Sequence, residues 1–163
     1  MNRRAQAVCS GVRLHIGDQV RAISWERAGI LYARIAVAAA FLSAVASRLG
    51  LWDGTLDLKH FQNFIGYTAE VNSFLPRTVI PWVAVSATVA ETSLGILLLL
   101  GLWPRWVSLA SAILLAMFGT AMALSFGLKS PMDYSVFSAS GASVLLARNA
   151  FREQIQSRRV KGC

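Results

Sequence analysis

Residues 81–102 read PWVAVSATVAETSLGILLLLGL. At 1.5 Å rise per residue this run is long enough to cross the ~30 Å hydrocarbon core of a bilayer, and it carries one carboxylate, Glu91, near its middle. Pro81 suits a first helical turn, and Trp82 stands where an interfacial anchor belongs. Three further stretches repeat the pattern. Residues 28–46, AGILYARIAVAAAFLSAVA, extend about 28 Å as a helix and hold Arg34. After the turn Trp103-Pro104-Arg105 comes a third apolar run over residues 106–124, and a fourth over 132–147, which contains DYSVFSASGASVLLA and is the shortest.

The composition agrees with a bilayer as solvent. Of 163 residues, 55% are apolar and only 15% charged, and the mean hydropathy is +0.52, well away from the balance of a soluble domain of this length. The net charge of +8 does not form the single stripe that nucleic acid would require, because the basic residues fall mainly before the first apolar run and after the last. They read as a topology signal and as attraction to lipid headgroups. Placing both ends in the cytoplasm puts Arg3, Arg4, Arg13, Arg21, Arg27, Arg105, Arg148, Arg152, Arg158, Arg159 and Lys161 inside, and only Arg48, Lys59, Arg77 and Lys129 outside. The expected fold is therefore all-α: an integral membrane four-helix bundle with both termini cytoplasmic. Its parts are a basic arm (1–27), a membrane domain (28–147) and a basic tail (148–163). The arm has two readings, an amphipathic helix on the headgroups or an irregular segment broken by Gly11, Gly17 and Asp18. Ala44-Val45-Ala46 resembles a signal-peptidase site, but the long leading arm and Arg34 within the apolar run argue against cleavage.

Between the first two runs, His60, Phe64 and Tyr67 follow helical spacing, which predicts a short interfacial helix or a capping loop within 47–80. Arg34 and Glu91 dominate the candidate site, since an isolated charge near mid-bilayer costs at least ~2.5 kcal/mol. Measured from the inner ends of their helices, the two lie at depths that an arginine stem can bridge, and an Arg34–Glu91 ion pair is expected. The pair has two readings: a device that fixes helix register, or a ligand and proton site. Gly95 and the other small residues on the Glu91 face allow close approach of a helix or a flat ligand. Asp133 is expected to cap the fourth helix, with Tyr134 beside it, and Ser135, Ser138, Ser140 and Ser143 favour interhelical hydrogen bonding.

His15 and His60 are the only histidines and lie outside the four runs, so an intramembrane bis-His haem has no ligands. Cys9 and Cys163 form no CxxC pair, and no P-loop, GxGxxG, GxSxG or HxxxH pattern is present. No metal site and no covalently bound cofactor are expected.

Taken in order, Arg34 in the first run, FQNFIGYTAEVNSFLP with Tyr67, Asn72 and Pro76, ETSLGILLLLGLWPR with Glu91, Gly95, Gly101 and Arg105, and MDYSVFSASG with Asp133, Tyr134 and Phe137 resemble the DoxX family of small prokaryotic four-helix membrane proteins over about residues 28–147. The resemblance implies a membrane subunit associated with quinone-linked oxidation, since the family takes its name from a thiosulfate:quinone oxidoreductase. It makes Arg34, Glu91, Tyr67, Asn72, Asp133 and Tyr134 candidate ligand-binding residues and Pro81, Gly95 and Gly101 structural ones. In that reading a quinone sits near Glu91, which exchanges protons, while Arg34 orients a quinone oxygen and a redox partner protein supplies electrons. A non-enzymatic scaffold or assembly factor, alone or as a homo-oligomer, is the second expectation. A small-solute transporter is the third, and the lack of glycine and proline breaks within the runs argues against it.

Overall fold

Two prolines set where the long helices begin. Pro81 and Pro104 occupy the first turns of helices in which the missing N–H would have no partner anyway. The computed structural model describes the backbone of residues 3–54 and 58–161 and the side chains of residues 25–54 and 59–155. Its helices are α1 (Arg3–Arg48), α2 (Leu58–Val71), α3 (Ile80–Leu100), α4 (Pro104–Phe126), α5 (Lys129–Asp133) and α6 (Val136–Lys161), with a 3-10 turn at Leu51–Asp53. No strand occurs among the described residues. The chain divides into two compact units, Met1–Tyr32 and Ala33–Cys163. In the first, the backbone is helical from Arg3, so helix rather than irregular chain describes the arm; the side chains of residues 3–24, Cys9 and His15 among them, lie outside the described residues, as does Cys163.

Within the second unit, Val37, Ala38 and Phe41 of α1 meet Leu98 of α3 and Val107 of α4 in a buried cluster, with Leu94, Leu97 and Leu114 packed around it. The outward faces are as apolar as the inward ones: Val85, Val89, Ile96 and Leu99 on α3 and Ile113 and Met117 on α4 are exposed. A helix apolar on all sides suits lipid rather than water. Three helical segments are long and apolar enough to cross a membrane: Trp25–Arg48, Ile80–Leu100 and Pro104–Phe126.

The region expected to form the fourth span departs from expectation. Residues 132–147 are not one segment: α5 ends at Asp133, Ser135 takes a left-handed φ of 53°, and α6 starts at Val136 and runs on to Lys161. Arg148, Asn149, Arg152 and Glu153 then dilute its hydropathy, and α6 does not qualify as a span by length and composition. It packs along α4 through small residues. Ser111 and Ser143 are fully buried, Ser140 Oγ donates to the Ala112 carbonyl at 2.9 Å, and Gly119 lets the Phe137 ring lie on the α4 backbone. The capping role expected of Asp133 is likewise corrected: its carboxylate accepts from Lys129 Nζ at 2.6 Å and stands three residues before α6 begins.

The α3–α4 turn is built on Gly101. With φ 69° it follows the last helical residue, its N–H donating to Leu98 O and that of Leu102 to Leu97 O, which satisfies carbonyls that end the helix. Trp103, also left-handed at φ 41°, offers its carbonyl to the Trp106 and Val107 amides and so starts α4.

Candidate functional site

Glu91 is buried, as an intramembrane carboxylate must be, but its partner is not the expected one. Arg48, the last residue of α1, donates from Nη1 to Glu91 Oε2 and from Nη2 to Oε1, the latter at 2.9 Å. The Glu91 side chain is 3% exposed and that of Arg48 15%. This is a fork-to-fork pair, the strongest geometry a guanidinium and a carboxylate adopt. Arg48 Nη1 also reaches the Thr88 hydroxyl at 3.5 Å, while Thr88 itself donates to Ala84 O at 2.9 Å. The Phe64 ring of α2 lies under the guanidinium, 3.8 Å from its carbon to the ring centroid, a cation–π contact strengthened by the dry surroundings. One arginine therefore joins α1, α2 and α3.

Arg34 lies elsewhere. Its Nη1 rests against Gly101, so close that a Cβ built on that glycine would fall 2.9 Å away, and its Nε is buried without a hydrogen-bond partner. Gly101 is ten residues from Glu91 along α3, about 15 Å at the helical rise. The expected Arg34–Glu91 pair is thus replaced by Arg48–Glu91. The expectation set Ala28 level with Leu102, whereas the helices place Arg34 level with Gly101, a shift of about five residues along α1. Arg48, two residues past the apolar run, was taken for a loop residue on the outer side. The signal that could have found it is the antiparallel register itself: Gly95 packs on Leu42 and the Ala38 carbonyl, and stepping one turn from Gly95 back to Glu91 carries α1 forward towards Arg48.

The other candidates form a second group around α2. Tyr67 stacks on Phe126 of α4 with ring centroids 6.0 Å apart, and the approach of Tyr134 and Glu70, together with partial burial, holds its phenol above the ordinary tyrosine range; burial contributes most. Asn72 Nδ2 donates to Thr68 O at 2.9 Å, and the Asn72 amide to the same carbonyl at 3.0 Å, closing the end of α2. Ser125 Oγ donates to Val71 O and binds α4 to that end. Asp133 is paired with Lys129 on the surface, and Tyr134 is exposed. Tyr67 and Tyr134 therefore neighbour one another, and neither touches the Glu91 pair. His60 Nε2 lies 3.1 Å from Asp53 Oδ2, a contact that the sequence did not suggest. Among the described residues no group of three His, Cys, Asp or Glu side chains gathers at one place.

A family model described as methylamine utilisation protein MauE matches residues 26–133, well over half of the chain. It covers α2, α3, α4 and α5 whole, with both residues of the Glu91–Arg48 pair, and it identifies a small multi-helix membrane family without identifying DoxX. No curated protein and no solved structure matches the chain.

Proposed function

Since this chain belongs to the MauE family, we propose that it is a membrane accessory subunit of a redox system, one that holds or assembles a partner instead of carrying out the electron transfer. The single observation that carries this reading is the committed state of the Glu91 pair. Both carboxylate oxygens accept from Arg48, and the guanidinium is further occupied by Thr88 and by the Phe64 ring. A carboxylate bound on both oxygens is poorly placed to shuttle protons, and an arginine that ties three helices together is a fixture of the fold. The topology proposed with it is four passes through a prokaryotic cytoplasmic membrane with both ends inside, the apolar first half of α6 resting on α4 as the fourth pass. This follows the bias of basic residues towards the chain ends.

A finer proposal, closer to the DoxX resemblance, keeps a quinone beside Glu91 and a partner that supplies electrons. It requires the Arg48–Glu91 pair to open when the ring binds. One experiment separates the two. The chain is purified from native membranes in mild detergent, and co-purifying proteins and quinones are identified by mass spectrometry for the wild type and for an Arg48→Leu/Glu91→Leu double variant. An accessory role predicts a redox protein at near-equal yield with both and no stoichiometric quinone. Stoichiometric quinone lost from the double variant establishes the quinone site instead, and a chain that purifies without any redox protein removes the accessory reading.

A further inference from the structure

Where α3 hands over to α4, two of the membrane-crossing segments end together, at Leu100 and Pro104, so this turn stands at a lipid–water boundary. An open groove of about 910 Å³ lies here against the C-terminal half of α6. Its floor is apolar, with Leu94 of α3, Val107 and Ala110 of α4 and Ala150 of α6; from Pro104 to Ala110 it follows α4 for about 9 Å. Its walls are two tryptophans, Trp103 and Trp106, which are 70% and 55% exposed. Indole rings that are apolar in body and polar at one edge settle at headgroup depth.

The mouth of this groove is cationic. Arg105 donates from Nη1 to Gln154 Oε1, and its guanidinium lies 4.9 Å from the Trp106 centroid and 5.6 Å from that of Phe151. These contacts hold the fork in place, and no carboxylate pairs with it among the described residues. Glu153 also lines the groove, but Asn149 Nδ2 donates to its Oε1 at 3.2 Å. Arg34 lies at the same helix end against Gly101, with a buried Nε that has no partner. Arg148 and Arg152, one turn apart on α6, are exposed and without an ion pair among the described residues. In the groove itself Arg105 is the one guanidinium and Glu153 the one carboxylate among the lining residues. A guanidinium fork matches the paired oxygens of a phosphodiester, and an apolar floor below it accepts the first carbons of an acyl chain.

We propose that this groove is a binding site for an anionic phospholipid, the phosphodiester on Arg105 and one acyl chain along the Leu94–Ala110 floor. The site is independent of the redox reading above, because it needs only the membrane. The test uses the full chain in detergent, to which phosphatidylglycerol, phosphatidylethanolamine or phosphatidylcholine is added at equal concentration, with occupancy read by native mass spectrometry and stabilisation by thermal melting. Phosphatidylglycerol is expected to occupy the protein preferentially and to raise its melting temperature most, and Arg105→Gln to weaken that lipid about fivefold, one arginine's share of the attraction to an anionic headgroup, while weakening phosphatidylcholine, whose choline offsets the charge of its phosphodiester, by less. Equal occupancy by the three lipids in the wild type overturns the proposal. So does displacement of phosphatidylglycerol by inorganic phosphate, which would make the site one for a free anion. Should Arg105→Gln fail to fold, Trp106→Ala takes its place, and retention of the full lipid preference without that indole also refutes the assignment.

Discussion

Replacing Arg48 with leucine removes both hydrogen bonds to Glu91 and leaves a carboxylate that is 3% exposed without its counter-ion. Breaking a buried pair from one side costs about 3–5 kcal/mol, and loss of the guanidinium over Phe64, which sits 3.8 Å from the ring centroid, adds about 1 kcal/mol. Glu91→Leu leaves the arginine unpaired instead and should cost a similar amount, lessened by the place of Arg48 at the end of its helix, from which the stem reaches towards water. With both residues replaced, no buried charge remains, and apolar replacements of buried pairs are often neutral or stabilising. The double variant should therefore return to within ~2 kcal/mol of the wild type, a coupling of at least ~4 kcal/mol between the two positions. Unfolding in mixed detergent micelles, followed by tryptophan fluorescence, measures all four corners of the cycle. The same cycle run on Arg34 and Glu91 is the control: these side chains do not meet, so Arg34→Leu and Glu91→Leu should add to within ~0.5 kcal/mol. A coupling at Arg34–Glu91 as large as that at Arg48–Glu91 would show that the register described here is wrong.

Three smaller predictions follow from close contacts and from one titrating group. Gly101→Ala forces a side chain into a left-handed residue and against Arg34 Nη1; a loss of ~1–2 kcal/mol is expected, of which Arg34→Ala restores the steric part, as read by thermal melting. At Gly119 a Cβ would fall 2.8 Å from the Phe137 ring, so Gly119→Ala should cost ~1–3 kcal/mol by overpacking and Phe137→Leu should recover much of it. Tyr67 loses its proton above the ordinary value near 10. Its raised folded value makes its contribution to stability complete below that pH and lost as the pH rises through the folded value; ultraviolet titration should show a late phenol that is absent in Tyr67→Phe, and Tyr67→Phe should flatten the alkaline loss of stability.

Much of the bundle was legible because hydrophobic length is a strong signal. The runs at 81–102 and 106–124 became α3 and α4 with shifts of only one or two residues, and proline and glycine marked their ends. The His60, Phe64, Tyr67 spacing did mark a helix, α2. What stayed hidden was relative level. A sequence states how far Arg34 lies from the start of its own apolar run, but the run says nothing of how α1 slides against α3, and a shift of about five residues from the expected alignment moved the pairing from Arg34 to Arg48. The bounds of the fourth run were missed for a different reason. Its apolar part is bounded by Ser135, whose left-handed backbone breaks the helix after α5, and by Arg148, beyond which α6 continues as a polar helix; hydropathy marks Arg148 but sees neither the break at Ser135 nor the helix that runs on past the charges.

The contacts along α1 and α3 make the two pairings mutually exclusive. Gly101 meets Arg34, Gly95 meets Leu42 and the Ala38 carbonyl, and Glu91 meets Arg48; as α3 is read backwards, α1 is read forwards, in one antiparallel register. Bringing Arg34 to Glu91 would require α1 to slide by about 15 Å, expelling Leu42 from the Gly95 surface and carrying Arg48 past the start of α3, away from Glu91. No rotamer change achieves this, so the carboxylate has one arginine available to it and the helix pair has one register. A buried polar contact that excludes alternative alignments gives specificity even where it adds little stability, and lipid, being as apolar as the helix faces, supplies almost no other reason for one alignment over another. Between identically greasy helices, the Arg48–Glu91 pair is the polar contact that sets the register of α1 on α3.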